Sequence, residues 1–414
     1  MRLLILGGGN GQLSSIKKAK EMGHEVVVSD YYKNAPGKKF SDFSENISTF
    51  DIDGNIKVAK KYNIDGVMTV GTDQPVFTAM KVAKKLNLPR YLTEETARAV
   101  TNKREMKKTF SKYDIPTVNY KIINKNFSDK KLANINFPVV IKPLDSQGQR
   151  GVFKLNSIKE IRKHFSEVLN YSRENEILVE EYYKSDEITV SGWVNQGNLN
   201  LLTITDRVTH ENNSHIGICS AHIFPSKHLK KYYNQIKAIS EKIVDSFKIK
   251  NGPIYFQILV GENGLKVNEI ACRIGGAYEG DFMPWLTGVD ILEMMVNISL
   301  GENINVKNLN NYNITNNSKW LSVQLFYAKP GKITEITSTA ELVSLKGVVK
   351  AGFNFEIGDK IQEIENATER AGYFIVRGKN KLDLKQKIKN AYDNLKIIDS
   401  KENNLVIREI GEVL

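Results

Sequence analysis

Hydrophobic and polar positions change their period along the chain, and the changes mark out its elements. Leu3 to Leu6 is an apolar run that predicts a buried strand. Gly7-Gly8-Gly9-Asn10-Gly11-Gln12 is a turn, Leu13 to Met22 a helix, and His24 to Ser29 a second strand ending at Asp30. Asp51-Ile52-Asp53 opens a helix that reaches Tyr62. Asp65 to Val70 is a further strand, with Gly71-Thr72-Asp73-Gln74-Pro75 at its C-terminal edge. This order predicts an α/β unit whose C-terminal strand edges contribute one wall of a substrate site. Thr93 is placed to cap a helix with Glu94 and Glu95 in its first turn, and Lys103 to Lys112 is the next helix.

Residues 118 to 190 read as a second α/β unit. Phe137 to Pro143 is a strand that ends at Lys142, and Asp145 to Val152 is a polar, glycine-bearing hairpin loop. Ser157 to Leu169 is a helix, Ile177 to Tyr182 and Glu187 to Val194 are strands. From Asn251 to Gly276 the pattern is that of a hairpin, two β-rich runs around Gly261-Glu262-Asn263-Gly264. Gln257 and Glu269 lie about six residues out on opposite arms, so a simple register makes them face each other. An oxygen ligand and a carboxylate so placed suit Mg²⁺ on a nucleotide phosphate; the plainer reading is a surface hairpin with an exposed glutamate. Arg273 and Gly275-Gly276 follow, where backbone can approach an anion. A helix is expected over 288–300, an asparagine-dense linker over 303–317, and a mixed tail after it.

Composition changes this picture little. The 414 residues are 41% hydrophobic, and no apolar run approaches the ~20 residues of a membrane helix. Two cysteines, Cys219 and Cys272, make neither a disulfide framework nor a zinc pattern, so a reducing, cytoplasmic location is expected. The net charge of +12 comes from lysine pairs spread over amphipathic segments, such as Lys84-Lys85 and Lys230-Lys231. That is the pattern of solvated helix faces, and neither a nucleic-acid nor a membrane partner is expected.

Lys142 and the Gly148/Gly151 loop can clamp phosphates with a point charge and backbone N–H groups. Glu180, Glu181, Tyr182 and Tyr183 can present backbone and carboxylate groups to an adenine edge, and Glu187 can hold ribose hydroxyls. Singly, each has a plain alternative as a solvated strand end or helix lysine. In order, Lys103, Lys142, the loop, Glu180 to Glu187, Gln257 and Glu269 resemble the ATP-grasp superfamily of ATP-dependent carboxylate–amine ligases. The stretches that carry the resemblance are Asn102-Lys103, VVIKP with its SQGQRGV loop, LVEEYY with DEITVSGWV, and VNEIACRIGG.

The resemblance implies α/β and α+β architecture. It places a Rossmann-like domain over 1–100, an ATP-grasp fold of two α+β subdomains over 101–305, and a small α/β domain over 306–414 closing the substrate site. It implies ATP and Mg²⁺ (or Mn²⁺) as cofactors, and a small-molecule carboxylate and amine as substrates. Lys103 and Lys142 would bind phosphates under a loop of Ser146, Gln147, Gly148, Gln149, Arg150, Gly151 and Val152. Glu180, Glu181, Tyr182, Tyr183, Glu187 and Asn268 complete the nucleotide set, Gln257 and Glu269 ligate metal, and Arg273 with Lys142 is catalytic. A homodimer is the default expectation.

Two subfamilies are similar. GNGQL, the stretch from Thr209 to Asn212 and NEIA look like the purine-pathway enzyme that carboxylates an aminoimidazole ribonucleotide with bicarbonate, which would put His210 near the phosphates. ACRIGG, Lys329 to Ile333 and Arg370-Ala371-Gly372-Tyr373 look more like bacterial L-amino-acid ligases. Ala271 and Gln257 stand where many members have Asn and an acid, which leaves a decayed, regulatory nucleotide site as a rival. A nicotinamide-dependent oxidoreductase, using Gly7, Gly9 and Asp30, is another.

Overall fold

The computed structural model describes residues 1–212 and 215–408. The first unit runs β1 (Arg2–Leu6), α1 (Leu13–Glu21), β2 (Glu25–Ser29), β3 (Phe43–Glu45), α2 (Ile52–Lys61), β4 (Gly66–Met68) and α3 (Gln74–Leu86). Its four strands pair in parallel in the order β3-β2-β1-β4. Strands β1, β2 and β4 are buried on both faces, whereas the edge strand β3 is half-exposed. The glycine turn after β1 is closed by its own chain. Asp30, buried at the end of β2, accepts from the amides of Gly8 (2.8 Å) and Tyr32 (2.9 Å), and Gly37 donates to the Gly8 carbonyl at 2.6 Å. Asp30 is thus spent on the turn, and the oxidoreductase reading loses its ribose-binding acid.

Helices α4 (Glu94–Ala99) and α5 (Lys103–Lys112) lead into the central region. The first begins at its expected cap, Thr93, which accepts from the Thr96 amide; the second is capped by Asn102, which accepts from the amides of Arg104 and Glu105. Next come β5 (Tyr120–Asn124), β6 (Val139–Pro143), β7 (Phe153–Leu155), α6 (Ile158–Leu169) and β8 (Glu176–Glu181). They enclose a core of their own, including Ile141, Phe165 and Val179. Then follow β9 (Ser185–Asn195), β10 (Asn198–Asn212), β11 (His215–Phe224), α7 (Leu229–Ser246), β12 (Gly252–Gly261) and β13 (Gly264–Ala271). These strands form one path, β13-β12-β9-β10-β11-β7-β6-β8-β5.

A further helix, α8 (Glu279–Thr287), precedes the helix expected over 288–300, which is α9 (Ile291–Leu300). Gly288, at φ 76°, ends the first in the left-handed conformation that glycine adopts without strain, and Asp290 caps the second. After α10 (Lys307–Asn311), the tail holds β14 (Trp320–Phe326), β15 (Gly331–Ile336), α11 (Thr339–Ser344), β16 (Val348–Phe353), β17 (Lys360–Ile361), β18 (Gly372–Gly378), α12 (Lys381–Asn394) and β19 (Ile397–Asp399). Strand β14 pairs with β11, and β18 and β16 follow it, so the tail extends the central sheet across the expected boundary at 305/306. It has a second core around Phe374 and Tyr392. No described helix is long and apolar enough to cross a membrane.

Candidate active site

The β12–β13 hairpin brings the first three groups together. From the turn outward the register is regular, Gly261 opposite Gly264 through Ile258 opposite Val267. It then shifts by one residue, so that Gln257 faces Glu269. Asn268 is the extra residue of a β-bulge. A straight ladder would turn Glu269 to the other face; the bulge sends Asn268 and Glu269 to the same side as Gln257. The Asn268 amide donates to Gln257 Oε1 at 3.4 Å.

One helix, α5, and one strand, β6, supply the cations. Asn268 Oδ1 accepts from Lys142 Nζ at 2.8 Å, and Glu269 Oε1 lies 3.1 Å from Lys103 Nζ. Lys142 also lies 2.8 Å from Glu180, whose other oxygen is 2.5 Å from Lys107. Lys107 follows Lys103 by one helical turn on the same face of α5, and its Nζ donates to Thr117 at 2.6 Å. Burial opposes the charge on Glu180, but Lys107 and Lys142 outweigh it and hold the carboxyl down to about 2. Burial likewise opposes Glu269, and Lys103 and Lys142 lower its pKa. This alternation of charges holds Lys103 and Lys142 in place. Among the described residues no cluster of three or more His, Cys, Asp or Glu could hold a metal unaided. One carboxylate with amide oxygens from Gln257 and Asn268 does fit Mg²⁺ that arrives with phosphate and water as its other ligands.

The loop after β6 roofs these groups. Lys103 Nζ donates to the Ser146 carbonyl at 2.8 Å. Gln147 Oε1 accepts from the amides of Asp73 (2.5 Å) and Gln74 (3.1 Å), and Ala367 donates to the Gly148 carbonyl at 3.1 Å. Gly148, Gln149 and Gly151 all have positive φ, which makes the turn tight. The loop separates two cavities. The first is lined by Lys103, Lys142, Tyr182, Tyr183, Glu187 and Leu259, among others. The second is lined by Asp73, His222, Tyr255, Arg273, Ala277 and Arg370. Gln147 to Arg150, Arg207, Gln257 and Glu269 line both.

Arginines dominate the second cavity. Arg273 is buried, donates from Nε to Asp73 at 2.6 Å, and lies over the Tyr255 ring at 4.4 Å. Arg207 is paired with Glu187 at 2.7 Å and donates to the Gly217 carbonyl. Arg370 differs. Burial acts most strongly on its charge and opposes it; the hydroxyls of Tyr327 and Tyr278 and the Cys219 thiol favour it, and buried Glu279 feels its charge. Its Nε is buried without a hydrogen-bond partner among the described residues. Burial, with Arg207 and Arg370 nearby, lowers His222 to about 3, so its ring is neutral.

Several expected roles change with these contacts. Glu180 faces its two lysines, so its carboxylate does not reach for adenine or ribose. Glu181 points its carboxylate outward, accepting from the amide of Asn136 and the side chain of Asn119. Arg207 holds one oxygen of Glu187, while the other, Oε1, is buried without a hydrogen-bond partner among the described residues at the wall of the first cavity. Gly151 packs under Tyr171, and His210 lies on β10 opposite Ile218; neither lines the cavities. Ser146, Gln147, Gly148, Gln149, Arg150, Val152, Tyr182, Tyr183 and Asn268 do line the first. Lys107, Arg207 and Arg370 went unassigned in the sequence. Lysines one helical turn apart were the available signal for the first, and a lone arginine in an apolar strand for the second.

Residues 135–281 match an ATP-grasp domain, and residues 324–399 match L-amino acid ligase C-terminal domain 2. A formate-dependent phosphoribosylglycinamide formyltransferase of Sulfurisphaera tokodaii is 29% identical over 201 residues, which are 46% of this chain and 49% of that protein. The chain thus spans about half the length of the curated relatives it matches first. Dapdiamide A synthase of Enterobacter agglomerans is 20% identical over 358 residues, 82% of each chain. An L-amino acid ligase from Bacillus licheniformis superposes with a TM-score of 0.80 at 18% identity, covering 96% of this chain and 98% of that one. The chain therefore has the ATP-grasp fold, flanked by the Rossmann-like sheet and the ligase-type tail.

Proposed function

We propose that this ATP-grasp chain is an ATP- and Mg²⁺-dependent ligase that activates a carboxylate as an acyl phosphate and joins it to an amine. The observation that carries this reading is the shared wall: Gln257, Glu269 and the 147–150 loop border both cavities. A γ-phosphate beside Lys103 and Lys142 then faces a carboxylate beside Arg273. The carboxylate oxygen attacks the γ-phosphorus in line and ADP leaves. The amine nitrogen attacks the acyl carbon, loses a proton, and phosphate leaves.

Each protein group has a physical part in these steps. Lys103 and Lys142, pinned by Glu269 and Asn268, neutralise charge on the transferring group without reorganising. Glu269, Gln257 and Asn268 would hold Mg²⁺ arriving with the nucleotide, which would supply further neutralisation of phosphate charge. Arg273 orients the carboxylate with a planar fork. The roofing loop excludes the water that would hydrolyse the intermediate. Arg370, a second fixed guanidinium without a carboxylate partner, suits the carboxylate of the amine substrate. That pair supports a carboxylate donor and an amino acid as the amine.

The test is Mg²⁺-dependent phosphate release from ATP with pooled amino acids, and separately with aminoimidazole ribonucleotide and bicarbonate, each beside Glu269→Ala. Release with amino acids that the substitution abolishes supports the ligase. Release with the ribonucleotide alone moves the chain to purine carboxylation. Tight ATP binding with no release in either arm favours a regulatory nucleotide site.

A further inference from the structure

Joining an amine to an acyl phosphate requires a destination for a proton. At neutral pH an aliphatic amine is mostly ammonium, and its nitrogen attacks only once that proton is gone. Most groups around the second cavity cannot take it. Asp73 is bonded to Arg273, and Glu269 is paired with Lys103. His222, lowered to about 3, is too weak a base. Burial raises the Tyr255 hydroxyl and the Cys219 thiol, so both keep their protons.

Glu279 remains. It opens α8 directly after Tyr278, whose φ of 63° is a left-handed turn that a tyrosine keeps only when its surroundings impose it. The Glu279 side chain folds back onto the preceding backbone, where Oε2 accepts from the Ala277 amide at 3.0 Å. Oε1 is buried without a hydrogen-bond partner among the described residues. It lies against Gly275: a Cβ there would stand 2.2 Å from Oε1 and 2.5 Å from the Tyr255 ring. Charged and titratable groups surround it from four segments. Arg273 and Arg370 act on its charge, and the Tyr255 hydroxyl and Cys219 thiol feel it in turn. All four of these residues line the second cavity. Burial outweighs the two arginines and raises the Glu279 pKa above the ordinary carboxylate value, nearer to where a base works at neutral pH.

We propose that Glu279 is the proton acceptor for the attacking amine, an ammonium group when it arrives, whose carboxylate Arg370 holds. This rests on the ligase reading above. An N–H bond of the ammonium breaks and its proton goes to Glu279 Oε1. The nitrogen lone pair then forms the N–C bond to the acyl carbon. The C–O bond to phosphate breaks, and phosphate leaves with that electron pair. The nitrogen's second proton goes to the departing phosphate, and Glu279 returns its own to water after the product has left.

Hydroxylamine separates this step from activation. It is uncharged at neutral pH, so it captures an acyl phosphate as a hydroxamate without a base. The full chain and its Glu279→Gln variant are given ATP, Mg²⁺ and a pool of carboxylic acids and amino acids, with and without hydroxylamine. At neutral pH the variant should lose amide formation about 100-fold and keep hydroxamate formation. Its amide rate should climb about tenfold per pH unit as free amine accumulates. The wild-type amide rate should be level at neutral pH and fall only in acid, as Glu279 takes up a proton through its raised pKa. A folded variant that loses both products alike, or neither, would overturn the proposal and leave the ligase reading standing. So would a wild-type amide rate that climbs like the variant's, and that profile alone decides if Glu279→Gln does not fold. Neither product from the wild type would overturn both readings.

Discussion

Gln257 and Glu269 are direct cross-strand partners because β13 carries one extra residue, Asn268, between the turn and the pair. The bulge stacks three polar side chains on one face of the hairpin, within reach of Lys103 and Lys142. Replacing Glu269 by Gln keeps the shape and removes the carboxylate. The Mg²⁺ concentration for half-maximal phosphate release should rise ~10–100-fold. An unchanged Mg²⁺ titration would remove Glu269 from the metal set.

The Lys107–Glu180–Lys142 cluster makes a prediction about acid. The folded pKa of Glu180, about 2, lies below its ordinary 4.5. Its contribution is therefore complete above the ordinary value and drains away as pH falls toward the folded one. Glu180→Gln should cost ~3–5 kcal/mol at neutral pH, since two buried lysines lose their counter-charge. Urea midpoints of the wild type should fall more steeply than those of the variant across that acid window. Parallel slopes would mean that Glu180 does not titrate there.

Arg370 should matter for one substrate only. Arg370→Lys replaces a planar fork by a point charge at a site lined by tyrosine hydroxyls. The KM for the amine should rise ~10–100-fold, the worth of a charged hydrogen bond, with nucleotide affinity unchanged. Equal effects on both would assign Arg370 to packing.

Gly66 offers a control for stability without chemistry. A Cβ there would stand 2.2 Å from the Ser299 carbonyl oxygen, where β4 meets α9. Gly66→Ala should cost ~1–3 kcal/mol by forcing the two apart. Thermal unfolding should show the loss while KM values for both substrates hold. A change in KM instead would show that the first sheet sets the site more tightly than this packing implies.

The parts legible in the sequence are those settled within a turn or a strand. Thr93 and Asn102 cap the helices that follow them because capping bonds reach only two or three residues. The apolar runs at Leu3 and Val139 are strands because alternation and burial are local properties of the pattern. The hairpin and the loop over Lys142 were legible for the same reason, and the ordered set of motifs named the fold; Gln257 and Glu269 face each other through the bulge at Asn268, not through the simple register. Tertiary structure alone decided what each charge is for. Glu180 looked free for a nucleotide until Lys107 closed on it, and Asp30 until Gly8 did. Arg370 acquired a site only when the tail joined the central sheet beside β11. A buried charge is determined by its partner, and these partners come from distant segments that no local period brings together.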